Sequence, residues 1–164
     1  MNSRRKLGII YKNLEFGNDM TKEVIVTICG LQNGPQTDGE PIEIMVAGEY
    51  FFKNNKHYIL YEEVMEGETQ PIKNRIKISN GQMELTKNGV VNVHMVFEEN
   101  VKNVTHYHTP YGALTMGIDA KKVEIKESED EIDISVLYGL EMNEEFVADC
   151  NISIHVKSKR NPTF

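Results

Sequence analysis

The chain has 164 residues, 40% of them hydrophobic, and its 18 basic and 25 acidic side chains give a formal net charge of −7. This length suits one ordinary domain with its own core, and the mixed composition excludes collagen, coiled coils and disorder. The acidic balance argues against a nucleic-acid partner, which needs clustered Lys and Arg, and against an anionic membrane surface.

The N-terminal segment, residues 1–19, differs in pattern from the rest of the chain. Residues 5–15 could form a short amphipathic helix. The apolar side chains there are spaced i, i+3, i+4 and i+7, which places them on one face of a helix: Leu7, Ile10, Tyr11 and Leu14. The longest apolar run there is shorter than the roughly 7–15 residues of a signal peptide. No segment approaches the roughly 20 apolar residues of a membrane span. We therefore expect a cytoplasmic protein.

From residue 20 onward, hydrophobic and polar residues alternate with a period of two. The alternation is clearest in the segments 42–52, 72–78, 91–98, 132–138 and 146–156. It is typical of antiparallel strands with one buried and one solvent-facing surface. In the last segment, this pattern places Phe146, Cys150 and Ile152 on the buried surface.

Turn sequences separate these strands at short intervals. Asn80-Gly81 and Asn88-Gly89 predict two-residue hairpin turns, since both residue types accept a positive φ, and the acidic run 127–131 predicts an exposed hairpin tip. Such turns leave no room for crossover helices, so about eight to ten consecutive strands pair as a meander. We predict an all-β protein, a closed antiparallel up-and-down barrel over 20–158 with a C-terminal tail at 159–164.

Three histidines are the candidate metal ligands. His106 and His108 share one face of a strand, and a hairpin at 99–102 would bring His94 beside them, as a divalent metal requires. A metal-assisted hydrolase is the function such a site would support. However, His94 lies on the same face of its strand as polar neighbours, which favours the interpretation that these histidines lie on the protein surface. We therefore expect no metal, no cofactor and no catalytic residues.

The two cysteines, Cys29 and Cys150, lie in the first and last long strands of the predicted barrel. Closing the barrel makes these strands neighbours, which leaves open an approach of the two sulfurs. In a reducing compartment, buried free thiols are the expected state.

A second candidate site combines the tyrosines and carboxylates of 58–63 with Arg75 and Lys77. Both faces of 57–64 are about equally apolar, so the inward face stays open. One possible register sets Tyr61 beside Arg75. If these side chains face outward, they form a ladder of exposed ion pairs, each worth about 0.2–1 kcal/mol. An inward row would be a costly buried polar network, which indicates a ligand's head group.

Aromatic side chains are the third feature of the sequence, which has seven Tyr, six Phe and no Trp. In a small barrel, aromatic residues of apolar parity usually fill the lumen, but they can also line an apolar cavity. The residues concerned are Tyr50, Phe52, Phe97, Tyr138 and Phe146.

Several short motifs, taken in order, resemble the YwiB-like family of bacterial proteins. They are Tyr58-x-x-Tyr61-x-Glu63, Lys77, Lys87-Asn88-Gly89 and Tyr107-x-Thr109-Pro110-Tyr111-Gly112. The resemblance covers about 22–157 and implies a calycin-type, lipocalin-like barrel in the cytoplasm, with no established enzymatic activity and no catalytic residues. Because such barrels hold ligands, the resemblance also favours side chains that point into the lumen for four residues: Tyr61, Glu63, Lys77 and Tyr107.

We therefore predict a non-catalytic barrel that binds a small, partly apolar ligand in its lumen, where tyrosine hydroxyls and a Lys or Arg orient an acidic or polar end. The alternative is a structural or interaction protein with a solid core, which acts through its surface or a dimer interface. Either a monomer or a homodimer is expected, with no nucleic-acid or membrane partner. The predicted ligand contacts are Tyr58, Tyr61, Glu63, Arg75, Lys77, Phe97, Tyr107 and Tyr138.

Overall fold

The computed structural model describes residues 20–30 and 43–159. The helix predicted for 5–15 lies outside these residues, as does nearly all of the C-terminal tail. The described residues form ten β-strands, and none of them is helical. No helix long and apolar enough to cross a membrane is found in this part of the chain.

The strands follow one another with short connections, as the period-two pattern predicts. They are β1 (Glu23–Cys29), β2 (Glu43–Lys53), β3 (Lys56–Glu63), β4 (Ile72–Ser79), β5 (Gln82–Asn88), β6 (Val93–Phe97), β7 (Lys102–Thr109), β8 (Gly112–Glu127), β9 (Glu131–Met142) and β10 (Glu145–Ser158).

All ten strands belong to one antiparallel sheet with the order β6-β5-β4-β3-β2-β1-β10-β9-β8-β7. The first strand therefore pairs with the last, and β6 and β7 form the two edges. These edges meet at an isolated bridge, where Asn92 and His108 exchange two backbone hydrogen bonds of 2.9 Å. The up-and-down barrel is confirmed, with ten strands and a nearly closed wall.

The two predicted Asn-Gly turns have different outcomes. Asn80 and Gly81 have φ values of 52° and 74°, so this hairpin turn is confirmed. The turn predicted at Asn88-Gly89 is wrong, because neither residue has a positive φ and residues 89–92 separate the strands. Gly89 is explained by close packing, since a Cβ there would lie 3.0 Å from the Cα of Ile72.

The inward faces of the strands form one apolar core. Its largest fully buried side chains are Phe97, Ile28, Ile59, Ile72, Ile76, Met83, Leu85, Ile118, Ile132, Ile134, Ile152 and Ile154. The buried position predicted for Phe146 is wrong, because its side chain is 65% exposed. The β10–β9 register shifts between Phe146 and Ala148, and an extra residue in one strand reverses the alternation.

The two cysteines lie on opposite faces of the wall. Cys29 pairs with Ser153 and follows the buried Ile28, so its side chain points outward. Cys150 pairs with Tyr138 and packs against the core from the lumenal side. Both are free thiols, as predicted, but both are half-buried where buried thiols were expected. Their opposite faces exclude the direct approach that the strand order left open.

Candidate functional site

The predicted ligand contacts fall on both faces of the wall. Glu63 pairs with Ile72, which sets Leu60 beside Arg75 and Tyr58 beside Lys77. This register differs by one residue from the one that placed Tyr61 beside Arg75, and a one-residue shift reverses every side chain. The lumenal position expected for Lys77 is therefore wrong, and Tyr58 and Arg75 also face outward. The lumen contains the side chains of Tyr61, Glu63, Phe97, Tyr107 and Tyr138.

On the outer face, Lys77 and His94 both contact Glu84. The Glu84 carboxylate lies 3.6 Å from the Lys77 ammonium and 2.8 Å from His94 Nε2. Burial acts to raise the pKa of Glu84, but the hydrogen bond from His94 and the charges of Lys77 and His94 lower it overall. These contacts are half-exposed ion pairs of small energetic worth.

The three histidines of the metal hypothesis do not converge. His94 hydrogen-bonds Glu84, while the rings of His106 and His108 lie 6.3 Å apart on β7. Among the described residues, the grouping with three ligand atoms close together is a different one, Glu131, Asp133 and His155 on the outer face. There both ring nitrogens of His155 already contact the carboxylates, at 2.6 and 3.2 Å.

Inside the barrel, one row of side chains runs from strand to strand near the C-terminal end of β3. Tyr61 pairs with Asn74, Asn74 with Lys87, and Lys87 with Val93. The bridge between β6 and β7 then sets Val93 beside Tyr107. Glu63 lies one inward position further along β3, toward the barrel end. We call these residues, apart from Val93, the Glu63 site: Tyr61, Glu63, Asn74, Lys87 and Tyr107.

A buried ion pair lies at the centre of the Glu63 site. The Lys87 Nζ donates hydrogen bonds to Glu63 Oε1 at 2.5 Å and to Asn74 Oδ1 at 3.0 Å. The Asn74 Nδ2 donates to Glu63 Oε1 at 3.3 Å and to the carbonyl oxygen of Ile72 at 3.2 Å. Lys87 is 4% exposed and Asn74 2%, whereas the Glu63 side chain is 21% exposed. A charge buried this deeply is tolerated because its counterion and hydrogen bonds are in place.

Two tyrosine hydroxyls at this site have no hydrogen-bond partner among the described residues. Tyr61 is 4% exposed and Tyr107 7% exposed. Burial raises the pKa of both phenols, and the nearby Glu63 carboxylate raises each pKa further. A buried hydroxyl without a partner costs about 1–3 kcal/mol. The third ammonium proton of Lys87 and the Oε2 of Glu63 also lack a partner within 20–30 and 43–159.

Asn74 and Lys87 were not among the predicted ligand contacts. Lys87 shares its parity with the apolar Met83 and Leu85, and Asn74 shares its parity with Ile72 and Ile76. A polar residue at a strand position where the alternation predicts an inward-facing apolar side chain indicates a buried polar group. Applied to each strand, this signal would have indicated both residues.

Gly48 brings β2 close to Tyr61 from the other side. A Cβ at this position would lie 2.8 Å from the carbonyl oxygen of Leu60, 3.1 Å from Val26 Cγ2 and 3.5 Å from Tyr61 Cβ. The missing side chain therefore lets the strands approach and leaves the Tyr61 ring in its place in the row.

The opposite end of the barrel is closed by a second polar chain, in which Tyr50 and His57 are buried and Glu127 is partly exposed. Tyr50 Oη lies 2.7 Å from His57 Nδ1, and His57 Nε2 lies 3.2 Å from Glu127 Oε1. The hydrogen bond from His57 lowers the pKa of Glu127. His57 is at the start of β3 and Glu127 at the end of β8, strands that are not neighbours in the sheet, so the contact joins opposite sides of the barrel.

Phe97 and Tyr138 occupy the lumen between the two polar ends. Their rings meet edge to face with centroids 5.1 Å apart. Burial, followed by the contact with Cys150, raises the pKa of Tyr138. Both residues face inward as predicted, and they pack as part of the apolar core.

Comparison with known proteins agrees with this fold. The family model described as a domain of unknown function, DUF1934, matches residues 8–154. The chain belongs to this family. The chain is also 26% identical over 106 residues to the uncharacterized β-barrel protein YwiB of Bacillus subtilis (strain 168), a match that covers 65% of this chain and 73% of YwiB. The resemblance to the YwiB-like family is thereby confirmed.

The crystal structure of the ywiB protein from Bacillus subtilis has the same fold as this DUF1934 chain. The two structures superpose with a TM-score of 0.69 and 23% sequence identity. The match covers 87% of this chain and 97% of the other. At this identity, the comparison establishes the barrel architecture.

Proposed function

We propose that this protein is a non-catalytic binding protein that holds a small molecule at the Glu63 site. The observation that carries the proposal is that the hydroxyls of the buried residues Tyr61 and Tyr107, beside the Lys87–Glu63 ion pair, have no hydrogen-bond partner within 20–30 and 43–159. Buried polar groups in native proteins normally have partners, so unpartnered groups that share the Glu63 carboxylate as a neighbour indicate a ligand that supplies them.

The ligand's position follows from how the lumen is packed. Large apolar side chains run continuously through the described barrel, so the ligand occupies its polar end. Glu63 is the most exposed member of the Glu63 site and marks the side from which the ligand enters. Leu114, which pairs with Tyr107 and is partly buried against the core, supplies apolar contact for the rest of a small ligand.

Binding, and not catalysis, is supported by the state of the polar groups. The Lys87 ammonium is held by Glu63 and Asn74, and an ion-paired, protonated amine is a poor nucleophile. The raised pKa values of Tyr61 and Tyr107 keep both phenols protonated at neutral pH, where they act as hydrogen-bonding groups and not as bases. We place the protein in the cytoplasm, which its free thiols support.

Native mass spectrometry tests this proposal. The wild-type protein, purified without detergent, is compared with the Tyr61→Phe/Tyr107→Phe double variant and with Tyr58→Phe, a control on the outer face. We expect an additional mass on the wild type and on Tyr58→Phe that is released by denaturation and absent from the double variant. A bare chain mass for the wild type, or equal ligand occupancy in all three proteins, would contradict the proposal.

An interaction protein that acts through its outer surface is the second candidate. The continuous core favours it, as does a groove of about 590 Å³ on the outer face of β2–β4, where Leu60 lies between Glu49 and Arg75. Sedimentation of the wild type and of Arg75→Glu tests this candidate. A dimer that the substitution dissociates would favour it, and a monomer at micromolar concentrations would exclude self-association.

A further inference from the structure

The Glu63 site contains one positive and one negative charge, and this balance determines which ligand it accepts. Of the described side chains that face the lumen at this end, Lys87 is the cation and Glu63 the anion, and their charges cancel through a direct contact. A charged ligand would add a third charge with no counterion in a poorly hydrated site. Uncompensated buried charges are strongly unfavourable.

We infer, on the basis of the proposed function, that the Glu63 site binds an uncharged head group that both donates and accepts hydrogen bonds, of which a primary amide is the simplest example. The site discriminates against ligands whose head group is a carboxylate or an ammonium. An uncharged head group differs from the acidic ligand end that a Lys or Arg would orient if it were the single charged residue in the lumen.

The unpartnered groups match such a head group in number and polarity. The third proton of Lys87 is a donor, Glu63 Oε2 is an acceptor, and each of the Tyr61 and Tyr107 hydroxyls can do either. An amide carbonyl accepts from Lys87 and from one phenol, while the amide NH₂ donates to Glu63 and to the other phenol. A carboxylate would satisfy Lys87 but repel Glu63, and an ammonium would satisfy Glu63 but repel Lys87.

Three small probes with four carbon atoms each separate these cases: butyramide, butyrate and butylammonium. Each is titrated into the wild-type protein at neutral pH, and the backbone amide signals of Tyr61, Lys87 and Tyr107 are followed by NMR. The signal of Arg75 on the outer face is the internal control. We expect butyramide to bind about tenfold or more tightly than either charged probe.

Two charge variants then reverse the preference. In Glu63→Gln, Lys87 is left without its counterion, so we expect the order to change in favour of butyrate. In Lys87→Gln, Glu63 is left alone and butylammonium should bind best. A residue with only a structural role would lower the affinity for all three probes equally, and that result would overturn the inference.

The outcomes separate the inference from the proposal beneath it. If butyrate or butylammonium binds the wild type as tightly as butyramide, this inference fails while binding at the Glu63 site stands. If no probe shifts the three site signals in the wild type or in either variant, even at tens of millimolar, the proposed function is overturned together with the inference.

Discussion

Tyr61 and Lys87 flank Asn74 in a single row of the barrel wall, one strand to each side of it. This part of the row lies within three consecutive strands of the meander, β3, β4 and β5, which are joined by continuous backbone ladders. Such a ladder fixes the spacing of the side chains before a ligand arrives. Sites carried by strands are held more precisely than sites on loops, so the positions of these three side chains relative to one another are fixed by the sheet.

The proposed function assigns the Lys87–Glu63 pair to binding, so removing both charges together should cost little stability. We expect Lys87→Met to destabilise the protein by about 3 kcal/mol, because it leaves the Glu63 carboxylate without its cation. The Glu63→Leu/Lys87→Met double variant removes both charges and should lie within about 1 kcal/mol of the wild type, or above it. Urea denaturation measures both. A double variant as unstable as Lys87→Met would show that the pair supports the fold.

The contact between His57 and Glu127 makes the closed end of the barrel sensitive to acid. The pKa of Glu127 is lower in the folded state than in the unfolded chain, so its contribution to stability is present above about pH 4.3 and is lost as the pH falls through the folded-state pKa. We expect Glu127→Gln to reduce the slope of unfolding free energy against pH in this acid range. The control is Glu124→Gln, on the outer face of the same strand. Equal slopes for the wild type and Glu127→Gln would contradict the expectation.

Gly48 is required by close packing. In Gly48→Ala, the new Cβ meets the backbone oxygen of Leu60 at 2.8 Å, which we expect to cost about 1–3 kcal/mol and to displace Tyr61. Gly139→Ala is the matched control, because its nearest neighbour lies at 3.8 Å. Thermal unfolding compares the two variants. If they have the same melting temperature, the close approach of β2 to β3 is incorrect.

The seam between β6 and β7 is the weakest part of the wall. The backbone groups of Asn92 point toward β7, and those of His94 and Val96 point the same way because strand geometry repeats every two residues. Among the described residues, only the side chain of Asn103 reaches them, at 3.4 Å from the Val96 oxygen. We expect the amide protons of His94 and Val96 to exchange much faster than those of Val93 and Met95. Equal protection measured by NMR would mean that the seam is fully paired in solution.

The fold could be predicted because local rules determine it. Strict alternation identifies the strands, and a two-residue turn such as Asn80-Gly81 determines which residues of its two strands pair. The connection between β3 and β4, residues 64–71, follows no such rule, so nothing in the sequence determined whether Glu63 pairs with Lys73 or with Ile72.

That one-residue difference divided the predicted site. It moved Arg75 and Lys77 to the outer face, opposite Tyr61 and Glu63 in the lumen. Tyr58 faces outward for another reason, because it is three residues from Tyr61 on the same strand and side chains alternate along a strand. Phe146 was misplaced for a related reason, because the register shift that reverses its direction has no Gly or Pro to indicate it. Whether the Tyr61 and Tyr107 hydroxyls have a partner in the described part of the chain depends on the position of every neighbouring atom, and no sequence pattern indicates it.

A high-resolution crystal structure of the protein, purified from cells without detergent, tests the central claim most directly. The region to inspect is the space between Lys87 Nζ, Tyr61 Oη and Tyr107 Oη. We predict connected density for a small molecule that contacts all three atoms and Glu63 Oε2. Isolated water peaks there, or tyrosine hydroxyls turned toward protein acceptors, would contradict the claim that this barrel is a binding protein.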